Sequence, residues 1–209
     1  QHRPPLLLHL GSMCAHDPVR AAERMLAVIG ASLSLSEPLP VLVYRPVLAM
    51  ITQARALRQE ERVREALDSL LALQQSLVLV VDELCSHRDL FSRVGVVCHH
   101  GGAGTTQLAI ECSTPQLILP FTYDQFSWRT IAESTGLGIS PARDHETNVS
   151  SLRVCLSKLL DRQPRLSVSP GIEPSLVGEL FWDHLLSALS QSEQRKNARR
   201  IKRKREQVA

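Results

Sequence analysis

The stretch His99-His100-Gly101-Gly102-Ala103-Gly104-Thr105-Thr106 limits what this chain can fold into more than any other part of it. An apolar run, Val94-Gly95-Val96-Val97-Cys98, leads into it, and a helix-compatible run, Gln107-Leu108-Ala109-Ile110-Glu111, leads away. The order is strand, glycine-rich turn, helix start. Three glycines let the backbone approach a ligand closely, and a helix N-terminus presents unpaired N–H groups carrying partial positive charge. Two hydroxyls and two imidazoles add further donors, so the corner is suited to phosphate.

The same alternation runs along much of the chain. Leu6 to Leu10 is a short apolar run ending at Gly11-Ser12, and Asp17-Pro18 then starts a helix as N-cap and first helical residue. Val41-Leu42-Val43-Tyr44 is a second strand, ended by Arg45-Pro46. From Val47 to Gln75 apolar residues recur at helical spacing around a charged face, which predicts one long amphipathic helix or two in succession. Leu77 to Val81 is continuous and rich in β-branched residues, as in a strand covered on both faces. A short helix around Arg88 to Arg93, a strand at Val94 to Cys98, a helix from Thr105 to Cys112 and a strand at Gln116 to Pro120 follow. Gln125 to Ser134 reads as a helix closed by Gly136, and Ser150 to Leu160 as another amphipathic one. This pattern predicts a doubly wound, mostly parallel α/β sheet whose ligand sits beyond the carboxyl ends of the strands. Gly11-Ser12, the glycine-rich turn and the segment Pro120 to Gln125 all fall at that edge.

Composition narrows the class. A chain of 209 residues with 44% hydrophobic residues can fill a globular core. No apolar run approaches the roughly 20 residues of a bilayer span, and the first residues lack the order of a signal peptide, so a cytoplasmic location is the expectation. The five cysteines, Cys14, Cys85, Cys98, Cys112 and Cys155, are scattered without a CxxC pair and predict buried thiols. The chain begins at Gln with strand-like sequence by Leu6, which suggests residues upstream. Residues 195–209 carry eight Lys or Arg against one Glu and leave the remainder mildly acidic. Such a tail reads as a solvated terminus, a localisation signal, or an arm for anionic lipid or RNA.

The glycine-rich turn is neither GxxxxGK[ST] nor GxGxxG, which counts against nucleotide hydrolysis and the ordinary dinucleotide site. Cys98, His99 and His100 project alternately at a strand end and do not close readily on one metal ion. His9, His16, His87, His145 and His184 are tied to no second catalytic group by spacing and read as structural.

HHGGAGTT is followed, after a strand, by Pro120-Phe121-Thr122-Tyr123-Asp124-Gln125 and Trp128. Together with Leu10-Gly11-Ser12-Met13, Ser86 to Phe91, Thr114-Pro115 and Gly136-Leu137-Gly138, this set resembles the carboxy-terminal, donor-binding half of GT-B fold UDP-glycosyltransferases. The likeness is greatest to sterol 3-β-glucosyltransferases and the glycosyltransferases of macrolide and glycopeptide antibiotic biosynthesis, and covers most of residues 6 to 160.

The resemblance implies a Rossmann-like donor domain over residues 1–161 with a helical insertion at 46–75, a linker plus C-terminal helix over 162–194, and a flexible basic tail over 195–209. It implies that Ser12, His99, His100, Gly101, Gly102, Gly104, Thr105 and Thr106 hold the diphosphate of a UDP-sugar. It assigns the sugar hydroxyls to Asp124 and Gln125, and contacts with the nucleoside to Cys85, His87 and Gln107. Gln107 stands where related enzymes often place a ribose-holding Glu. The implied reaction transfers a hexose, glucose foremost, to a sterol-like or lipid-like hydroxyl, with UDP-sugar as substrate and no cofactor or metal. The acceptor pocket and general base belong to the family's other half, in cis or on a partner subunit. The basic tail would touch anionic membrane or act as a localisation signal. A different class, a non-catalytic or split-subunit sugar-nucleotide-binding module, fits the amphipathic 47–75 segment and the tail as partner face and anchor.

Overall fold

The computed structural model describes residues 4–44, 78–81, 86–141 and 147–162. Six strands form one sheet: β1 (Leu6–His9), β2 (Val41–Tyr44), β3 (Val78–Val81), β4 (Val96–His99), β5 (Gln116–Ile118) and β6 (Gly138–Ile139). Their spatial order is β3-β2-β1-β4-β5-β6, and every neighbouring pair is parallel. The chain therefore winds outward from β1 in one direction and returns to continue from β4 in the other. The switch point of a doubly wound sheet lies between those two strands.

Six helices are described: α1 (Met13–His16), α2 (Pro18–Leu33), α3 (His87–Phe91), α4 (Ala103–Glu111), α5 (Gln125–Ser134) and α6 (Val149–Arg162). The start of α2 follows from sequence chemistry, since Pro18 occupies the first turn and the Asp17 carboxylate accepts the Arg20 N–H at 3.2 Å. On one face of the sheet, Leu6, Leu8, Val41, Val43, Val96, Cys98 and Leu117 pack with α2 and α6 through Met25, Val28, Ile29, Leu152 and Leu156. On the other, Leu7 and Val97 pack with Leu90 and Phe91 of α3 and Ala109 of α4. Alternate residues of β1 thus enter different cores, which requires the continuous apolar run seen in its sequence. Each buried leucine contributes about 1.5–3 kcal/mol relative to exposure.

Three details differ from the sequence reading. β6 was not expected, α1 intervenes before α2, and α4 begins at Ala103 rather than Thr105. Cys14, Cys98 and Cys155 are buried free thiols, and Cys112 is partly buried. Burial pushes the Cys14 thiol up to about 12. The proposed insertion at 46–75, Cys85, the segment 163–194 and the basic tail lie outside the described residues.

Candidate functional site

The loops after β1 and β4 meet because those strands are hydrogen-bonded in register, with His9 opposite His99. Beyond His9 the chain turns at Gly11, whose φ is +59°, and delivers Ser12 as the exposed N-cap of α1 with no side-chain capping bond. Beyond His99 it turns at Gly101, whose φ is +88°, and Gly102 serves as the N-cap of α4. The first intrahelical donor of α4 is the Thr106 N–H, bonded to Gly102 O at 2.9 Å. The amides of Ala103, Gly104 and Thr105 precede it and have no acceptor within the helix, so the N-terminus keeps its positive dipole end free.

His100 fills the space between the two turns. A Cβ placed on Gly11 would lie 2.7 Å from its Cε1, and one on Gly102 would lie 2.6 Å from its Nε2. Its ring thus fits only because glycine stands on both sides. The side chain is 9% exposed, and its Nδ1 is buried without a hydrogen-bond partner among the described residues. Burial lowers its pKa, while the nearby Asp124 carboxylate opposes that shift. Among the described residues the ring thus keeps one buried nitrogen that no protein group satisfies.

His99 is placed differently from the sequence expectation. It is fully buried, its Nδ1 accepts the Gly101 N–H at 3.1 Å, and its Nε2 lies 2.9 Å from Gln116 Oε1. Both ring nitrogens are used inside the protein, so His99 cannot itself grip a diphosphate and instead shapes the turn. Thr106 is also corrected: its buried hydroxyl donates to Gly102 O at 2.9 Å within α4. Thr105 is partly buried on the first turn and Gly104 is exposed with open space where a side chain would stand. Gln107 is half-buried one turn on.

The third loop follows β5. Arg24 of α2, 3% exposed, donates to Leu119 O at 2.7 Å and Pro120 O at 3.0 Å, and its guanidinium lies 4.1 Å from the centre of the Phe121 ring. Arg20 donates to Phe121 O at 3.4 Å. From the other side, Gln125 Oε1 accepts the N–H groups of Phe121 at 2.7 Å and Thr122 at 3.1 Å. The Gln125 carbonyl is therefore spent on its own loop, and only its amide nitrogen remains for a ligand. Asp124, the N-cap of α5, is exposed and makes no side-chain capping bond. Its carboxylate is the acidic group felt by His100.

His87, at the start of α3, is exposed and stacks on His9 with ring centroids 5.2 Å apart. His9, structural by its spacing in the sequence, stands beside the site: burial, with smaller contributions from His87 and His100, lowers its pKa to about 4. Sequence reasoning also missed Arg24 and Gln116. A charged residue on the apolar stripe of α2 marks the first, since Arg24 lies three residues from Ala21 and four from Val28. A polar residue opening an apolar strand marks the second.

Residues 63–179 match the family described as erythromycin biosynthesis protein CIII-like, C-terminal domain. Sterol 3-beta-glucosyltransferase UGT80A2 of Arabidopsis thaliana is 37% identical over 109 residues, which is 49% of this chain and 17% of that protein. UGT80B1 of the same plant is 34% identical over 94 residues, 45% of this chain and 15% of that protein. The chain thus spans less than a fifth of these curated relatives. The solved structure of spinosyn rhamnosyltransferase SpnG superposes with a TM-score of 0.58 at 15% identity, covering 93% of this chain and 45% of SpnG. Glycosyltransferase VinC in complex with dTDP gives a TM-score of 0.51 at 17% identity, covering 87% of this chain and 37% of VinC. With the family match extending over more than half of its length, the chain belongs to the erythromycin biosynthesis protein CIII-like C-terminal domain family, and its fold is that of the C-terminal half of GT-B glycosyltransferases.

Proposed function

We propose that this chain is the donor-binding lobe of a glycosyltransferase that takes a hexose, glucose foremost, from a UDP-sugar and transfers it to a sterol-like or lipid-like hydroxyl. The observation that carries the reading is the packing of the His100 ring, its Nδ1 without a partner among the described residues, between the Gly11 turn and the Gly102 N-cap of α4 at the switch point between β1 and β4. A diphosphate placed there receives backbone N–H groups, a hydroxyl and an imidazole without displacing a protein bond.

In the proposed reaction the acceptor oxygen attacks the anomeric carbon and the bond from that carbon to UDP breaks, its electron pair leaving with UDP. Negative charge then grows on the diphosphate, where the helix end and His100 stabilise it. Hydrogen bonds to such a charged group are worth about 1.5–3 kcal/mol each. Asp124 accepts hydroxyl hydrogens of the sugar and the Gln125 amide nitrogen donates to them. Cys85 and His87 flank the base, and Gln107 stands on the ribose side. The acceptor's proton goes to a base outside this lobe, in cis or on a partner subunit, and the basic tail meets an anionic membrane surface. One support favours the sterol-like acceptor: the two Arabidopsis thaliana relatives are named as sterol 3-beta-glucosyltransferases.

Calorimetric titration of the chain with UDP and UDP-glucose tests the reading. His100→Ala is expected to weaken both about tenfold to a hundredfold, the loss of one charge-assisted bond. Asp124→Ala is expected to weaken UDP-glucose more than UDP. Absence of binding by the parent at millimolar ligand, or binding indifferent to His100→Ala, overturns the donor site; equal losses for both ligands in Asp124→Ala overturn the sugar contact.

A further inference from the structure

Gln116 and His99 take no direct part in the donor contacts proposed above, yet they form a buried hydrogen-bonded chain that ends on the anion-binding turn. Both side chains are wholly buried, one on β5 and one at the end of β4. The Gly101 N–H points at His99 Nδ1 from 3.1 Å, so that nitrogen must carry a lone pair. A neutral imidazole has a single N–H, which therefore sits on Nε2 and donates to Gln116 Oε1 at 2.9 Å. The reverse amide orientation would set two donors against each other, so the backbone amide fixes both the tautomer and the amide.

The residue at the end of this chain is the one where the turn is most constrained. Gly101 has φ +88°, and a Cβ there would lie 2.9 Å from the backbone oxygen of Gln125 and 3.1 Å from Ile118 Cγ2. Its amide is drawn inward, and the next amides, at the start of α4, are thereby left for a ligand. We infer that Gln116 is a positioning residue for this turn: by accepting from Nε2 it keeps His99 Nδ1 as the acceptor that holds Gly101, and so sets the direction of the donors that follow.

The titratable groups acting on His99 are His9 on β1 and its neighbour His100, and burial, the larger influence, lowers the His99 pKa to about 3. The parent chain should therefore hold one tautomer throughout the neutral range.

The inference rests on the donor-site reading only for its ligand, UDP. Nitrogen-15 NMR of the histidine rings in the full 209-residue chain reads the tautomer with no ligand present. The expected parent spectrum shows His99 neutral and protonated at Nε2 from pH 6 to 8; protonation at Nδ1 overturns the inference. In Gln116→Glu the introduced carboxylate favours the imidazolium, whose second N–H opposes the Gly101 amide. UDP affinity should then fall at least tenfold towards pH 6 and recover towards pH 8, a dependence that mere loosening of the core does not produce. Gln116→Leu should weaken UDP by a similar factor at every pH. Folded variants that bind UDP as the parent does at all pH values overturn the inference. A parent with the Nε2–H tautomer that binds no UDP leaves the relay standing and removes the donor-site reading.

Discussion

The turn after β4 and the loop after β5 lie side by side at the same sheet edge and are held in opposite ways. The first is fixed from within by neutral polar groups: Gln116 holds His99, His99 holds Gly101, and two glycines make room for His100. The second is fixed from outside by cations, with Arg20 and Arg24 on its carbonyls and on the Phe121 ring, while Gln125 ties its amides. One arrangement hides its side chains and presents backbone donors. The other hides its backbone and presents side chains, with Asp124 exposed and Tyr123 81% exposed. Backbone donors suit a group shared by all nucleotide diphosphates, whereas projecting side chains suit the part that varies, the sugar.

The contrast breaks most completely in acid, because only the first region depends on imidazoles remaining neutral. His9 and His99 titrate near 4 and 3 when folded, against an ordinary value of 6.5. A depressed folded pKa means that the unfolded chain takes up protons first. The stability these groups contribute is complete above 6.5 and is lost as pH falls towards their folded values. Each costs at most about 1.4 kcal/mol per pH unit in that window, so the pair removes roughly 3–5 kcal/mol by pH 4.5, a large share of a typical domain's stability. Chemical denaturation across pH 4.5–7.5 checks this. His99→Gln, though less stable at neutral pH, should show a shallower slope, and an unchanged slope contradicts the assignment.

A smaller break is local to the turn. Gly102→Ala inserts a methyl 2.6 Å from His100 Nε2, on the side of the ring opposite the close-lying Gly11 turn. The ring must leave its slot, so UDP affinity should fall about tenfold to a hundredfold, as in His100→Ala, with little change in folding stability. The double variant should lose no more than either single one, because both act on one interaction. Additive losses measured by calorimetry would show that the glycine serves the ligand independently of the histidine.

The order of loops at this edge was legible in the sequence, and the choice between adjacent histidines was not. Long runs such as Leu6 to Leu8 and Val96 to Cys98 declare buried parallel strands because both faces must be apolar. β6 has only two residues and opens with Gly138, where a Cβ would lie 2.6 Å from the backbone carbon of Ala132. Close packing on α5 thus removed the β-branched signal that marks a strand. Alternation places His99 and His100 on different sides of the chain, but which side holds the ligand depends on Gln116 in the next strand. Asp124 was legible as a motif residue, whereas its neighbour Tyr123 carried no signal, since strain is a property of the backbone and leaves no pattern in composition.

Tyr123 supplies the smallest expected effect. Its φ of +54° is one that glycine adopts freely and a tyrosine adopts only under constraint. The constraint is the fixation of Phe121 and Thr122 on one side and of α5 on the other, where Asp124 O accepts the N–H groups of Ser127 and Trp128 at 2.9 and 3.0 Å. Little packing is lost with a ring this exposed, so Tyr123→Gly should raise stability by up to about 1 kcal/mol as strain is relieved, less the greater chain entropy glycine gives the unfolded state. Tyr123→Ala removes the same ring without relieving the backbone and should be no more stable than the parent. Thermal melts of the three proteins, ordered glycine above tyrosine and tyrosine level with or above alanine, establish that the loop stores strain at the residue beside Asp124. An alanine variant as stable as the glycine one would instead place the penalty in the ring, and the loop would then differ from the histidine turn only in which groups it exposes.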